Sequence, residues 1–252
     1  MFEGIKSKKV LITGATGGMG ESIALLFAEY GAELGLHYNQ DKEKAEALIE
    51  AVRKKSGKAE IFQADLLKVE SCKELIRNFI KTFGGIDVLI NNAGTASPYV
   101  HFSELEGSAW DTVFNLNVKA PYYLTGEAFS YMQEHGGGRV VNMGSVNVKY
   151  GGSGKSLHYV ASKAALESLA KGFAKEGAPH NILVNTIRCG LIDTPMRKNV
   201  AGYNEEHFKQ RVNLVPLKRA GDPLDIARTV LFLAAETGDF ITGEIFTVAG
   251  GD

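Results

Sequence analysis

Two kinds of apolar pattern alternate along the chain. In the longer segments apolar residues recur every three or four positions, which predicts amphipathic helices, and the clearest of these segments are 22–30, 42–54 and 71–83. The shorter segments are continuous apolar or β-branched runs of strand length. They predict strands at 9–13, 33–38, 58–63, 86–91, 139–143, 182–187 and 244–248.

The alternation itself predicts the fold class. Strands that alternate with helices form right-handed βαβ units, so we expect an α/β fold with one doubly wound parallel sheet of about seven strands and helices on both faces. Residues typical of helix caps stand where such helices should begin and end. Asp222 precedes Pro223 as a cap precedes a first-turn proline, Gly31 and Gly84 follow helical segments, and residues 103–106 have the spacing of a capping box.

Length and composition narrow the class of protein. A doubly wound sheet accommodates 252 residues around one core, and no linker or repeat divides the chain, so we expect residues 1–252 to form a single domain. Lysine and arginine number 28 against 29 aspartates and glutamates, and no basic cluster suggests nucleic-acid binding. No apolar run approaches the roughly 20 residues that span a bilayer, so we predict a soluble, cytoplasmic protein with no membrane partner.

The cysteines predict neither a metal site nor a disulfide. Cys72 and Cys189 are far apart in the sequence, and neither has the spacing of paired metal ligands, so we expect free thiols and no metal ion. The least periodic region is residues 193–213. It is interpreted either as a lid over a binding site or as a surface excursion.

A glycine-rich segment follows the first predicted strand and leads directly into a helix. Residues 13–20, TGATGGMG, allow a tight turn and a close approach of the backbone to a pyrophosphate at the helix N-terminus. The position between a strand and a helix favours dinucleotide binding over an ordinary glycine turn. A nucleoside triphosphatase loop is excluded because Glu21 follows Gly20, where that loop needs lysine.

Tyr159 and Lys163 stand four residues apart in a helical segment, on the same face. A free tyrosine has a pKa near 10, so a neighbouring cation that favours the phenolate would make it a useful general acid or base at neutral pH. An isolated pair of this kind is more often a solvated helix surface. The other motifs of the chain reverse that balance.

Taken together, the motifs resemble those of the short-chain dehydrogenase/reductase family over essentially the whole chain. The glycine pattern fits the TGxxxGxG form of that family, and further motifs follow it at predicted strand ends and in helical segments. They are Asp65-Leu66, Asn91-Asn92-Ala93-Gly94, Asn117, Ser145 and Tyr159-Val160-Ala161-Ser162-Lys163. The resemblance implies a Rossmann-type fold and a nicotinamide-dependent oxidoreductase, and within the family the pattern is most like 3-oxoacyl carrier-protein reductases.

The resemblance also implies roles for individual residues. Tyr159 would exchange a proton with the carbonyl or alcohol oxygen, Lys163 would lower the phenol pKa and bind the nicotinamide ribose, and Ser145 would hydrogen-bond the reacting oxygen. Asn117 completes this catalytic set. The residues expected to bind the cofactor, besides Tyr159 and Lys163, are Gly14, Thr16, Gly18, Met19, Gly20, Asn39, Asp65, Leu66, Asn92, Ala93, Gly94, Ile192 and Thr194.

Pro121 follows Asn117 by four residues within a helical segment. Proline has no N–H, so the Asn117 carbonyl loses its helical hydrogen bond and the helix should kink there. We hypothesise that this carbonyl holds a water molecule that links Lys163 to solvent, in the proton relay that the resemblance implies. The alternative is a kink without a function.

Two cofactors are compatible with the end of the second predicted strand. NAD-binding proteins of this type usually end that strand with an acid that binds both ribose hydroxyls, whereas residues 36–40 read LHYNQ. The first acid, Asp41, is better placed to cap the next helix. The missing acid favours NADP(H). NAD(H) stays possible because Gly17 and Asn39 stand where basic residues for a 2′-phosphate are usual.

A small carbonyl or alcohol substrate is expected, with contacts from several segments. These segments are 98–102, 146–150, Leu191 and 196–208, and His158 either borders them or is satisfied by the backbone. Gly136 and His180 depart from the 3-oxoacyl carrier-protein reductases, which use basic residues there to recognise the carrier. Cys189 stands where proline is usual, as a packed small side chain or a reactive thiol.

Other functions stay open at this stage. The pattern is shared with sugar, polyol and steroid alcohol dehydrogenases of the same family, and the chain is too short for the larger C-terminal domain of an epimerase or dehydratase. A dinucleotide-binding sensor or scaffold without turnover is the alternative of another class. The resemblance also implies a homotetramer. Its interface or the core would contain Phe114, Tyr122, Phe129, Leu166, Leu169 and Phe173.

Overall fold

A seven-stranded parallel sheet forms the centre of the molecule. The structure, a computed structural model, describes residues 4–56, 58–194 and 204–252. The strands are β1 (Lys9–Ile12), β2 (Glu33–Tyr38), β3 (Ala59–Gln63), β4 (Val88–Asn91), β5 (Gly138–Ser145), β6 (Ile182–Cys189) and β7 (Ile245–Val248). They lie in the order β3-β2-β1-β4-β5-β6-β7 with every pairing parallel, so the predicted α/β class is confirmed.

Helices cover both faces of this sheet, as the doubly wound pattern predicts. They are α1 (Gly18–Glu29), α2 (Lys42–Ser56), α3 (Val69–Phe83), α4 (Gly107–Phe114), α5 (Ala120–Glu134), α6 (Leu157–Gly177), α7 (Glu205–Leu214) and α8 (Pro223–Ala234). Val10 and Ile12 of β1 belong to an apolar cluster with α1, α2 and α8, whereas Leu11 belongs to a second cluster with α3, α5 and α6. Alternate residues of one strand thus face opposite layers. None of the helices described here is long and apolar enough to cross a membrane.

The strand order places a binding crevice at the carboxyl end of β1. Strands β2 and β4 flank β1 on opposite sides, so the chain reverses its winding direction there. In open parallel sheets, ligands bind outside the carboxyl ends of the strands at such a switch point. The glycine-rich turn follows β1 and the segment 92–94 follows β4, so both predicted motifs emerge at this crevice.

One predicted helix start is confirmed and another is wrong. Asp222 caps α8 with a complete capping box, as its place before a proline indicates. The capping box predicted at residues 103–106 does not form. The His101 side chain accepts the Ser103 N–H and caps the start of a short 3₁₀ turn at Phe102–Glu104, and α4 begins only at Gly107.

The long helical region around Asn117 is distorted, as its proline predicts. Residues Asn115–Lys119 form a π-helical turn between α4 and α5, in which the Ala120 N–H donates to the Asn115 carbonyl five residues earlier. Pro121 lies in the first turn of α5, where its missing N–H does least harm. Turns of this kind occur often at functional sites. The relay water at the Asn117 carbonyl stays a prediction.

A buried ion pair fixes α6 on the sheet. Arg188 of β6 donates two hydrogen bonds to the Glu167 carboxylate of α6, both at 2.7 Å. The Glu167 side chain is only 7% exposed, so solvent screens the pair little. This contact helps to set the register of the helix that carries Tyr159 and Lys163.

Candidate active site

Two loops are fastened together at the crevice. The Thr13 hydroxyl accepts the N–H groups of Asn92 and Ala93, each at 3.0 Å, which holds the turn after β1 against the loop after β4. Gly14 lies between them with a left-handed φ of 61°. A Cβ at Gly14 would lie 3.0 Å from the Ala93 Cα, so only glycine fits this approach without strain.

A cavity of about 500 Å³ lies over these two loops. Most residues predicted to bind the cofactor line it. They are Gly14, Thr16, Gly18, Met19, Asn39, Asp65, Leu66, Asn92, Ala93, Gly94 and Thr194. Gly20, also predicted to bind the cofactor, does not line the cavity. A Cβ at this position would collide with the Gly14 carbonyl oxygen. Its role is to let α1 pack closely behind the cavity.

This cavity fits a dinucleotide cofactor. Its volume is within the range of small-molecule sites, and the N-terminus of α1 presents backbone N–H groups and a favourable dipole to a pyrophosphate. A Cβ at Gly94 would lie 2.9 Å from the Asn117 Oδ1 and 3.3 Å from the Lys163 Nζ. Glycine therefore makes room for those two side chains directly behind the wall of the cavity.

His37 braces the glycine-rich turn, a role that its place in an apolar strand does not reveal. Its Nδ1 accepts the Gly14 N–H at 3.0 Å, and its Nε2 lies 3.1 Å from the Ala64 carbonyl oxygen, so Nε2 carries the proton. Burial lowers the pKa of His37 to about 4, against the opposing effect of the Ala64 hydrogen bond. The ring is therefore neutral at pH 7 and holds one tautomer.

The end of the cavity beyond β2 carries Asn39, Gln40 and Asp41. Asp41 accepts the Lys44 N–H at 3.1 Å and pairs with the Lys44 ammonium at 2.7 Å, so it caps α2 as predicted. The hydrogen bonds and charge of Lys44 hold the pKa of the Asp41 carboxyl below its usual value. The Asp41 carboxylate, which follows the end of β2, is thus already engaged by Lys44.

A second cavity, of about 260 Å³, adjoins the first and contains the predicted proton-transfer residues. Ser145 lies at the end of β5, Tyr159 and Lys163 come from α6, and Ile192 lines the same cavity. The Ser145 side chain is hydrogen-bonded to the Tyr159 phenol. The structure therefore brings the predicted serine and tyrosine hydroxyls together. Five residues line both cavities, and none of them is acidic. They are Met19, Asn92, Gly94, Thr95 and Thr194.

Burial controls the ionisation of the Tyr159 phenol. It raises the pKa of Tyr159 to about 12, and the hydrogen bond from Ser145 acts in the opposite direction. The phenol therefore keeps its proton throughout the neutral range. In this arrangement Tyr159 is a proton donor rather than a base.

The Lys163 ammonium does not hydrogen-bond the Tyr159 phenol but points to a backbone carbonyl. Its Nζ donates to the Met143 carbonyl oxygen at 2.8 Å and lies 5.9 Å from the centroid of the Tyr159 ring. Burial lowers the pKa of Lys163 to about 8. The expected lowering of the phenol pKa by Lys163 is not seen in this arrangement. Desolvation raises that pKa, and the opposing effect comes from the Ser145 hydrogen bond.

Asn117 acts behind the cavity wall rather than in it. Its side chain accepts the Thr95 N–H and donates to the Thr95 carbonyl, both at 2.8 Å, and it donates to the Ser162 hydroxyl at 3.0 Å. The residue is fully buried. Asn117 thus ties the loop after β4 to α6, which carries both Tyr159 and Lys163.

Cys189 is a packed thiol at the edge of the catalytic cavity. It is buried, and burial raises the pKa of its thiol to about 12. A thiol that stays protonated is a poor nucleophile. Of the two interpretations of Cys189, the structure favours the packed side chain. Cys72 is also a buried free cysteine.

The predicted substrate segments are only partly brought to the cavity. Val146, Asn147 and Leu191 line it, whereas Tyr99 and Phe102 are exposed away from it. His158 is buried and hydrogen-bonded to the Pro98 backbone, which favours its structural interpretation.

The C-terminal part of the predicted substrate region is only partly described. Residues 195–203 and the His207 side chain lie outside the described residues, so the proposed lid stays a prediction. Arg211 of α7 lines the catalytic cavity, beyond the predicted limit at residue 208. Within the described ranges, no cluster of three or more His, Cys, Asp or Glu side chains is placed to hold a metal ion.

Comparison with known sequences identifies the family. The family sequence model described as Enoyl-(Acyl carrier protein) reductase matches residues 14–252. The 3-oxoacyl-[acyl-carrier-protein] reductase FabG of Staphylococcus epidermidis is 34% identical over 245 residues, which cover 97% of this chain and 98% of that protein. The protein of the same name from Thermotoga maritima is 33% identical over 247 residues, 98% of each chain.

Solved structures agree with the sequence comparison. The crystal structure of a blue fluorescent protein from a metagenomic library, in complex with NADPH, matches with a TM-score of 0.91 and 31% identity over 99% of both chains. A short-chain dehydrogenase/reductase from Serratia marcescens matches with a TM-score of 0.91 and 30% identity over 98% of both chains. This chain belongs to the short-chain dehydrogenase/reductase family. It is an NAD(P)-dependent oxidoreductase that acts on carbonyl or alcohol groups.

Proposed function

We propose that this protein is an NADP(H)-dependent reductase of 3-oxoacyl thioesters. The observation that carries the proposal is the Ser145–Tyr159 hydroxyl pair, which lies in a small cavity adjoining the dinucleotide cavity. Two adjacent hydroxyl donors suit a carbonyl oxygen that gains negative charge during reduction. The relatives named as 3-oxoacyl-[acyl-carrier-protein] reductases support this class of substrate.

In the proposed mechanism, Tyr159 is the general acid. The nicotinamide cofactor, when bound, supplies the hydride. Tyr159 donates its proton to the substrate oxygen as charge develops there, and Ser145 donates a hydrogen bond to the same oxygen. The high pKa of Tyr159 keeps that proton in place until it is needed.

Lys163 and Asn117 support this proton transfer. Lys163 would bind the ribose of the cofactor. Its positive charge, 5.9 Å from the centroid of the Tyr159 ring, would favour the phenolate that remains after proton transfer, although it does not lower the pKa of Tyr159 in the structure itself. Asn117 positions the loop that begins at Gly94 through its bonds to Thr95. Its backbone carbonyl, within the π-helical turn, is the proposed site of the relay water.

The preference for NADP(H) rests on the end of β2. Asn39 and Gln40 offer neutral polar groups there, and the Asp41 carboxylate is engaged by Lys44 and does not present a free charge to a 2′-phosphate. The NADPH complex of the metagenomic relative supports the same cofactor. NAD(H) is the alternative, because no lysine or arginine lines the described part of the cavity.

Steady-state turnover tests the substrate and the cofactor together. NADPH and NADH are each supplied with a 3-oxoacyl thioester and with the matching 2-enoyl thioester. A polyol is assayed in the oxidative direction with NADP+ and with NAD+. We expect the 3-oxoacyl thioester to be reduced, with kcat/KM for NADPH about tenfold above that for NADH, the contribution of one charge-assisted hydrogen bond.

Each other result overturns a separate part of the proposal. A preference for NADH would overturn the cofactor, and turnover confined to the enoyl thioester or to the polyol would overturn the substrate class. Tight dinucleotide binding without turnover of any compound would favour a sensor or scaffold.

We also propose that the protein forms a homotetramer through α4, α5 and α6. Leu166 is buried within its own chain, whereas Tyr122 is 47% exposed and lies 5.7 Å from Phe173 between ring centroids. This aromatic pair is available to a second copy. Light scattering at micromolar concentration should give four times the chain mass of 27.2 kDa, and a monomer mass would contradict the proposal.

A further inference from the structure

Arg211 differs from the other arginines that the structure describes. Each of the other described arginines has a carboxylate oxygen within 4.0 Å of a guanidinium nitrogen. These arginines are Arg53, Arg77, Arg139, Arg188, Arg219 and Arg228. Arg211 has no such partner within residues 4–56, 58–194 and 204–252, although its side chain is half-buried. A half-buried guanidinium has lost part of its hydration, and no carboxylate of the described residues compensates for that loss.

The position of Arg211 gives this unpaired charge a function. It comes from α7 and lines the same cavity of about 260 Å³ as Ser145 and Tyr159. The described lining contains a second cation, Lys163, and no aspartate or glutamate. The Lys163 ammonium is already bound to the Met143 carbonyl oxygen. Since Lys163 is also assigned to the ribose of the cofactor, Arg211 is the cation of the described lining that is left for the substrate.

A cavity with this charge distribution selects anions. Fixed positive charge without a compensating carboxylate raises the local concentration of anionic ligands and disfavours cationic ones. The planar fork of a guanidinium matches the two oxygens of a carboxylate, with charge-assisted hydrogen bonds to both. Arg211 lines the same cavity as Ser145 and Tyr159, so a group bound to Arg211 lies close to the carbonyl that reacts at Tyr159.

We propose that Arg211 is a specificity-determining residue that binds a carboxylate close to the reacting carbonyl, so that short 3-oxo acids are substrates in their free form. The inference rests on the proposed function, since it assumes carbonyl reduction at Tyr159, and it extends the substrate class from the thioester to the acid. A neutral ester or thioester of the same acid offers Arg211 one uncharged oxygen, which is a weaker acceptor.

The turnover test compares acetoacetate with its methyl ester, which differ in the carboxylate alone. In the wild-type enzyme with NADPH, kcat/KM for acetoacetate should exceed that for the ester by about 30-fold, as expected for a charge-assisted bond. Arg211→Gln should remove that preference by lowering kcat/KM for acetoacetate, while the value for the ester and KM for NADPH stay within about threefold. Arg211→Lys keeps the charge but not the fork, and should give an intermediate ratio.

A binding measurement makes the result independent of turnover. Calorimetry uses 3-hydroxybutyrate and the enzyme–NADPH complex. No hydride transfer occurs in this mixture, because the alcohol and the cofactor are both already reduced. Binding to Arg211→Gln should be about 30-fold weaker than binding to the wild type. The control is Arg228→Gln on α8, a 62% exposed arginine outside the described cavity, which should bind as the wild type does.

Several outcomes would overturn the role of Arg211. They are equal binding of 3-hydroxybutyrate by the wild type and Arg211→Gln, an equal loss with acetoacetate and its ester, or a rise confined to KM for NADPH, which would assign Arg211 to the cofactor. Failure of the proposed function is distinguishable. In that case neither acetoacetate, its ester nor a 3-oxoacyl thioester is reduced, whereas the binding comparison still reports on Arg211.

Discussion

Replacing Tyr159 by phenylalanine should lower kcat/KM for carbonyl reduction by about 10³-fold, within the range that a positioned general acid contributes. The substitution removes the proton donor and leaves the half-buried ring in place. Of the two hydrogen-bonded hydroxyls, only that of Ser145 then remains to stabilise the substrate oxygen that gains negative charge. The measurement is steady-state consumption of NADPH at varied concentrations of a 3-oxoacyl thioester, together with the dissociation constant of NADPH from its fluorescence.

The dissociation constant and a matched control separate chemistry from folding. Tyr131→Phe removes a phenol that hydrogen-bonds the Gly84 carbonyl, far from the cavity in the described fold, and should leave kcat/KM within about threefold of the wild type. NADPH should bind Tyr159→Phe nearly as tightly as it binds the wild type. If Tyr159→Phe keeps full turnover, the proton comes from another group and the proposed mechanism is wrong.

Acidification from pH 7 to pH 4.5 should destabilise the protein by about 2 kcal/mol through His37 alone. Burial lowers the pKa of His37 from 6.5 to about 4 in the folded chain, so between these values the unfolded chain binds a proton that the folded chain excludes. This contribution to stability is fully present above pH 6.5 and is lost as the pH falls toward 4. Urea unfolding at the two pH values measures it.

The comparison that isolates His37 is His37→Asn. Asparagine cannot be protonated, and its side-chain oxygen can accept the Gly14 N–H, which His37 accepts at 3.0 Å. The free energy of unfolding of this variant should fall by about 2 kcal/mol less than that of the wild type over the same pH change. His135→Asn, at an exposed histidine, is the control and should follow the wild type. Equal pH dependence in the wild type and His37→Asn would show that His37 is not held neutral.

The parts of this protein that its sequence predicts are those governed by local pattern. The β2 bounds Glu33–Tyr38 agree with the predicted strand, because a continuous apolar run bounded by polar residues leaves little freedom in where the strand begins and ends. The glycine-rich turn and Asp41 as a cap follow equally from local geometry, since a left-handed turn and an unpaired helix N-terminus each require particular residue types.

Other features depend on contacts between distant segments, and the sequence alone does not predict them. His37 reaches Gly14 and Ala64 only after β1, β2 and β3 have paired, and a histidine within an apolar run looks like any strand residue. The orientation of Lys163 toward Met143 depends in the same way on the packing of α6 against β5. The predicted capping box at residues 103–106 fails for a local reason, since the His101 side chain takes the Ser103 N–H first.

Isotope transfer tests the central claim most directly. NADPH that carries deuterium at both hydrogen positions of the transferring carbon of the nicotinamide is incubated with the enzyme and a 3-oxoacyl thioester, and the product is analysed by mass spectrometry. If hydride passes to a carbonyl carbon held at Ser145 and Tyr159, deuterium should appear at C3 of a 3-hydroxyacyl thioester, and the Tyr159→Phe enzyme should form that product about 10³-fold more slowly. A product without deuterium at C3, or a labelled product formed equally fast by Tyr159→Phe, would contradict the account.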